Sequence, residues 1–300
     1  MRIIFMGTPN YAAVILDSLL QEHTLCALVC QKDKKAGRDM QLKAPATKEL
    51  LLKKSPNTPI FQPENLDEAF VAELKALKAD IIIVAAFGKI LPKEVLEIAP
   101  CMNLHASILP KFRGASPIQQ SILEIESYFG VSVMQMEEGL DCGDILGFKA
   151  VKNTGQNALE LFESLANLAA ELTLEYLKRI DRIIPMEQNN ADASYCKKIK
   201  KEFGLVEFDC AKTLENKALA YSGWPEVYLK SGLKLKALKL NSINGSYKMG
   251  EILEITKDGI QIGCKKGSVW ITTLQAPSKK AVGAYEYAQG KHLKIGEILE

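Results

Sequence analysis

The run Ile81-Ile82-Ile83-Val84-Ala85-Ala86, entered from Asp80, is apolar at every position and mostly β-branched. A strand with one face in water alternates apolar and polar residues, whereas an unbroken run suits a strand covered on both faces, as in a parallel sheet flanked by helices. The surrounding sequence supplies those helices. Residues 2–6 (RIIFM) predict a strand ending at Gly7-Thr8-Pro9, and Ala12, Ile15, Leu16, Leu19 and Leu20 then recur at helical spacing. Further strands are expected at 24–30, 60–61, 130–136 and 144–150, and helices at 47–54, 67–77, 93–98 and 118–123. A long helix over 157–180 carries Leu161, Leu165, Leu168, Ala169, Leu172 and Tyr176 on one stripe. The expected fold class is α/β, with a mostly parallel sheet and its ligand at the carboxyl ends of the strands. The first turn has one glycine rather than G-x-G-x-x-G, so it carries no evidence for a dinucleotide.

Residues 31–48 (QKDKKAGRDMQLKAPATK) show no periodicity and predict a long exposed loop, of a length that is usually functional. The composition shifts at 182–201, where Pro185, a polar stretch and a lysine run have linker character. Several short strands follow, among them the alternating LKLKALKL of 233–240, with a helix at 214–221 ahead of them. These predict a small β-barrel. The expected organisation is a catalytic domain over 1–184, a linker over 185–203 and a C-terminal barrel over 204–300.

Charge divides along the same line. From residue 196 onward there are 18 lysines, no arginine and 11 acidic residues, whereas the preceding 195 residues hold 20 basic and 25 acidic ones. A basic C-terminal third on an acidic body points to a polyanionic partner. The seven cysteines are scattered and odd in number, as befits reduced thiols, and three histidines leave little scope for metal chemistry. No apolar run is long enough for a membrane span and the N-terminus passes straight into a strand, so a cytoplasmic, membrane-free protein is expected; a monomer without a metal is expected as well.

The chemistry lies in residues 102–117, MNLHASILPKFRGASP. Asn103 and His105 are two apart, and in a strand they project from the same face. An amide NH2 beside an imidazole suits a reaction in which a carbonyl oxygen gathers charge while a proton changes hands. An isolated N-x-H triplet is more often two ordinary hydrogen-bonding residues at a strand end, so the neighbouring motifs decide. Ser-x-Leu-Pro follows at 107–110, the basic-glycine run Lys111-Phe112-Arg113-Gly114 comes next, and GLDCGD at 139–144 follows the hydrophobic strand.

Taken together these segments resemble the folate-dependent formyltransferases, and the resemblance runs over essentially the whole chain. The N-terminal MRIIFMGTPNYAAVILDSLL and the SGWPEVY at 222–228 narrow it to members acting on methionyl-tRNA. The resemblance implies a Rossmann-like formyltransferase domain with an OB-like C-terminal barrel. It also implies transfer of the formyl group of 10-formyltetrahydrofolate to the α-amino group of initiator methionyl-tRNA. Asn103, His105 and Asp141 match the family's catalytic positions, as oxyanion donor, proton shuttle and the residue that orients the histidine or holds a relaying water. Ser107, Ile108, Leu109 and Pro110 match its folate-binding turn. Phe87, Gly88, Ile90 and Leu91 are expected to form a slot for the folate ring, with Gln135–Glu138 opposite; each aliphatic is equally well explained as core. Ala36-Gly37-Arg38 matches a triplet in the family's tRNA-recognition loop, which makes Arg38 the expected reader of the acceptor stem. The chain departs from the common GAAPI at Ser116, a small change. Two other readings stay open: a formyltransferase for a small amine, such as glycinamide ribonucleotide or an amino-sugar nucleotide, and a non-catalytic RNA-binding protein.

Overall fold

The computed structural model describes residues 1–36 and 40–300; Arg38 lies outside the described residues. In chain order the first half contains β1 (Arg2–Gly7), α1 (Asn10–Glu22), β2 (Thr24–Val29), β3 (Lys34–Ala36), β4 (Gln41–Lys43), α2 (Ala46–Lys54), β5 (Ile60–Phe61), α3 (Glu68–Ala76), β6 (Ile81–Ala85), α4 (Lys93–Leu96), β7 (Cys101–His105), β8 (Arg113–Gly114) and α5 (Pro117–Leu123). The second half contains β9 (Tyr128–Gln135), β10 (Ile145–Lys152), α6 (Ala158–Leu177), β11 (Tyr195–Cys196), α7 (Ala211–Ala220), β12 (Lys234–Ser242), β13 (Ile252–Thr256), β14 (Gly259–Gly263), β15 (Ser268–Gln275), β16 (Val282–Gly283) and α8 (Ala284–Lys291).

Seven strands make the main sheet, in the order β10-β9-β7-β6-β1-β2-β5. The five from β7 to β5 run parallel, and β9 and β10 continue the sheet antiparallel. The unbroken apolar run is β6, the central strand of the seven, buried at all five positions. Its Ile82 and Val84 join Ile4 and Met6 of β1 in a core with Phe70, Val71 and Leu74 of α3 and Val95 of α4. Ile81 and Ile83, pointing the other way, are equally buried, which is why no polar residue alternates with them. The chain leaves β1 toward β2 and β5, then returns to β6 and β7 on the other side. The strand order therefore reverses between β1 and β6, and ligands of open α/β sheets bind at the carboxyl ends beside such a reversal.

By contacts the chain forms two compact units, one of residues 1–117, 128–152 and 162–197, the other of 118–127, 153–161 and 198–300. The second holds α7, α8 and a five-stranded antiparallel sheet, ordered β12-β15-β14-β13 with β16 on β15. Among the described residues no β12–β13 pairing closes that sheet. Alternation in the LKLKALKL strand is only partly expressed, with Leu235 buried while Leu238 and Leu240 are half-buried.

Two segments differ from expectation. Residues 31–48 are not an aperiodic loop throughout: β3 and β4 pair as a hairpin, Lys34 opposite Lys43 and Lys35 opposite Leu42. Every described side chain of that pair is exposed, so no apolar face marks the strands in the sequence. The polar segment 185–203 is tied down as far as Lys197. Met186 and Ile145 exchange two backbone hydrogen bonds, β11 pairs with β8, and the Ser116 hydroxyl donates to the Lys197 carbonyl at 2.5 Å. Composition cannot separate a polar residue that bonds to protein from one that bonds to water.

Candidate active site

Strand β7 lies between β6 and the antiparallel β9, with Asn103 opposite Val84 and Met134 and His105 opposite Ser132. Its carboxyl end delivers Asn103, half-buried, and His105, 5% exposed. Asp141 arrives from the β9–β10 loop and faces both. Asn103 Nδ2 donates to Asp141 Oδ1 at 3.5 Å, the long end of a hydrogen bond. His105 Nδ1 lies 3.6 Å from Asp141 Oδ2. The three residues singled out in the sequence therefore meet.

Two backbone groups fix the arrangement. His105 Nε2 is 2.9 Å from the Phe112 carbonyl, which can only accept, so Nε2 carries the hydrogen and Nδ1 is left to take or give a proton. The Gly114 amide donates to Asp141 Oδ2 at 2.8 Å. Gly114 has φ +119, and a Cβ there would stand 2.3 Å from the Cys196 carbonyl oxygen, so only glycine suits this donor. Gly143 is required for a different reason, since its Cβ would lie 2.1 Å from the Gln135 carbonyl oxygen where the loop folds back on β9. Asp141 itself adopts φ +51, a left-handed conformation costing a non-glycine residue roughly 1–2 kcal/mol.

The folate-turn residues divide. Ser107 is 1% exposed and its hydroxyl donates to the Lys111 carbonyl at 2.6 Å. Leu109 packs with Met134 and Ile145, whereas Ile108 and Pro110 are half-buried and the Leu109–Pro110 peptide is cis. Of the residues expected to make a ring slot, Phe87 and Leu91 are core, Met136 packs on the same cluster, and Ile90 is 85% exposed. Ordinary core burial thus accounts for Phe87 and Leu91.

Several residues here carried no recognisable sequence signal. Ser132, fully buried, accepts the Leu109 amide at 3.0 Å and donates to the Ser107 carbonyl at 2.8 Å, bracing the turn from β9. Arg113, 2% exposed, is bonded by neutral groups: Gln188 Oε1 at 2.8 and 3.0 Å, Asn190 Oδ1 at 3.0 Å and the Tyr195 hydroxyl at 3.4 Å. Its basic-run neighbours gave no hint that the guanidinium points inward. Gln188 and Tyr195 fall in the stretch whose composition suggests a linker.

At the carboxyl edge of β1, β2 and β5 a second polar cluster anchors the β3–β4 hairpin. Lys48 Nζ contacts Asp33 at 2.9 and 3.0 Å and Gln62 Oε1 at 2.8 Å. Gln62 Nε2 in turn donates to Asp33 Oδ1 at 2.8 Å and to the Gln31 carbonyl at 2.7 Å. The Gln62 hydrogen bond, then Lys48, hold the Asp33 carboxyl below its usual range. Lys48 is thus committed within the fold. Among the described residues no group of His, Cys, Asp or Glu is placed to hold a metal ion, and no helix is long and apolar enough to cross a membrane.

An amide, an imidazole and a carboxylate thus meet at the carboxyl end of β7, one strand from the switch point of an α/β sheet, an arrangement suited to acyl transfer, and comparison with known proteins gives the class its name. The formyl transferase model matches residues 1–175 and the formyl transferase C-terminal domain model residues 198–292, so the chain belongs to the formyl transferase family. It is similar over 99% of both chains to the methionyl-tRNA formyltransferase of Wolinella succinogenes, at 52% identity. The methionyl-tRNA formyltransferase of Helicobacter pylori is 50% identical over the full length of both. Among solved structures, an N-formyltransferase of Helicobacter canadensis in complex with folinic acid and dTDP-3-aminofucose shares the fold, with a TM-score of 0.69, 19% identity, and 90% and 98% of the two chains covered.

Proposed function

We propose that this chain transfers the formyl group of 10-formyltetrahydrofolate to the α-amino group of methionyl-initiator tRNA. The observation that carries the reading is the meeting of Asn103, His105 and Asp141 at the carboxyl end of β7. The name shared by relatives about half identical over their whole length supports the acceptor.

The folate supplies an activated formyl group and a nitrogen leaving group; everything else falls to the chain. Asn103 offers a neutral N–H donor to the oxygen that becomes negative as the amine attacks, and one such donor is typically worth about 10²–10³ in rate. His105 exchanges a proton through Nδ1, because Nε2–H is held by the Phe112 carbonyl. Asp141 faces that atom and orients the ring. No nucleophilic side chain is needed, since an α-amine with a pKa of about 7.7 already has roughly one molecule in six neutral at pH 7. The turn Ser107–Pro110 is the proposed folate contact, through Ile108 and Pro110 and the backbone rather than the buried Ser107 and Leu109 side chains.

For the acceptor, the proposal assigns Arg38 to the tRNA acceptor stem and the basic third beyond residue 196 to the tRNA backbone. An arginine fork can take a phosphate or a base edge, while lysines act as point charges. The catalytic part extends over 1–184 with the bonded segment to Lys197, and the reaction runs in the cytoplasm with one chain per site. Incubation with labelled formyl donor and charged initiator tRNA, beside glycinamide ribonucleotide and an amino-sugar nucleotide, tests the reading. Label passing to either small amine in preference to the tRNA overturns it.

A further inference from the structure

Arg113 and Gly114 are adjacent, and between them they hold Asp141 at two points. The Gly114 amide holds the carboxylate. Arg113 reaches the same residue through Gln188, whose Oε1 accepts from guanidinium Nε at 3.0 Å and Nη2 at 2.8 Å. The Gln188 NH2 then donates to two carbonyls of the loop, that of Asp141 at 3.0 Å and that of Gly143 at 2.7 Å. Gln188 is 4% exposed and Arg113 2% exposed, so water competes little for these bonds. The amide is fully used, with its acceptor on a permanent cation and both donors on the loop. A cation on the carbonyl end of an amide polarises it, which strengthens donation from the nitrogen end. The loop needs such a hold: Asp141 has φ +51, and no glycine at that position relieves it.

We infer that Arg113 and Gln188 are positioning residues for formyl transfer, setting the Asp141 backbone so that its carboxylate faces His105 and Asn103. The inference rests on the catalytic reading of Asp141 given above. Arg113 touches none of the reacting groups, and its described partners are all neutral. A guanidinium buried this way would be costly unless well bonded, and Gln188, which makes two of those bonds, also grips the catalytic loop.

Gln188→Glu separates the two ends of the relay. A carboxylate keeps an acceptor for Arg113, now charged, but has no hydrogens for the Asp141 and Gly143 carbonyls and sets oxygen against oxygen there. Expected are a folded protein with parental affinities for the folate and tRNA, and kcat lower by about 10- to 100-fold, the scale of a small misplacement of a reacting group. Combined with Asp141→Asn, the change should add little further loss, because both act through one carboxylate. Gln188→Met, of similar length without either polar group, carries the same kcat expectation if the glutamate variant does not fold, with a lower melting temperature because the Arg113 guanidinium loses two bonds. Slow Asp141→Asn with parental kcat in Gln188→Glu or Gln188→Met overturns the relay and leaves the catalytic reading standing. Multiplicative losses in the double variant likewise overturn it. Parental single-turnover rates in Asp141→Asn overturn the catalytic reading and the relay with it.

Discussion

His105 Nε2 lies 2.9 Å from the Phe112 carbonyl oxygen, and this contact decides which ring atom can do chemistry. Phe112 sits in the turn after β7 with φ +61, its amide held by the Ser194 hydroxyl at 2.9 Å. The turn and the segment around residue 194 thus set the tautomer of the proposed proton shuttle.

Three substitutions test the site itself. Asn103→Ala should lower kcat by about 10²–10³, with the folate dissociation constant little changed, because an oxyanion donor acts in the transition state. His105→Ala and Asp141→Asn should also collapse kcat. Single-turnover formylation separates chemistry from binding, and near-parental rates in any of the three would remove that residue from the mechanism.

Gly114→Ala should cost stability and activity together. The new Cβ would meet the Cys196 carbonyl oxygen at 2.3 Å on a backbone at φ +119. A loss of about 1–3 kcal/mol is expected, measurable as a lower urea midpoint, with kcat reduced because the same amide holds Asp141. An unchanged midpoint would show that β8 and β11 can separate freely.

Residues 31–48 carry separable expectations. Arg38→Ala should lose kcat/KM on initiator tRNA well beyond Lys34→Ala, while Lys34→Ala and Lys35→Ala weaken all tRNAs and flatten the salt dependence. Lys48→Ala should leave the salt slope alone, since that lysine is spent on Asp33 and Gln62. Asp33 supplies the pH test. Its folded-state pKa is depressed, so its contribution to stability is present above the ordinary value of 3.8 and lost as pH falls below it. Asp33→Asn should therefore flatten the acid loss of stability, and an acid unfolding curve identical to the parent's would contradict that.

Truncation should resolve the role of residues 185–197. A chain ended at 184 lacks Gln188, Ser194 and Cys196, all bonded to the β7–β8 region, and should lose folate affinity. A chain ended at 197 should keep folate affinity and lose most tRNA affinity, given the charge surplus beyond residue 196. The availability of those lysines is uneven, because Lys234 and Lys236 are paired with Glu226. Equal tRNA affinity of the shorter and full chains would refute a binding role for the C-terminal unit.

The sequence by itself determined the architecture wherever burial leaves a periodic trace. The unbroken Ile81–Ala85 run, the stripe of α6 and the i, i+2 placement of Asn103 and His105 follow from backbone geometry and need no partner to be visible. It also carried Asp141, through the resemblance of GLDCGD at 139–144 to the formyltransferase motif. Only the tertiary structure decided what polar residues are for. Arg113, Gln188, Ser132 and Lys48 look like surface residues in a string of letters, yet the first three are buried and Lys48 half-buried, each held by bonds to residues 14–82 positions away. The β3–β4 hairpin was hidden for a related reason, since its described side chains are exposed and only backbone pairing makes it. Apolar burial writes a local pattern because every buried side chain meets the same requirement, exclusion of water. A buried hydrogen bond needs one specific partner, and where that partner lies is settled by the folded chain.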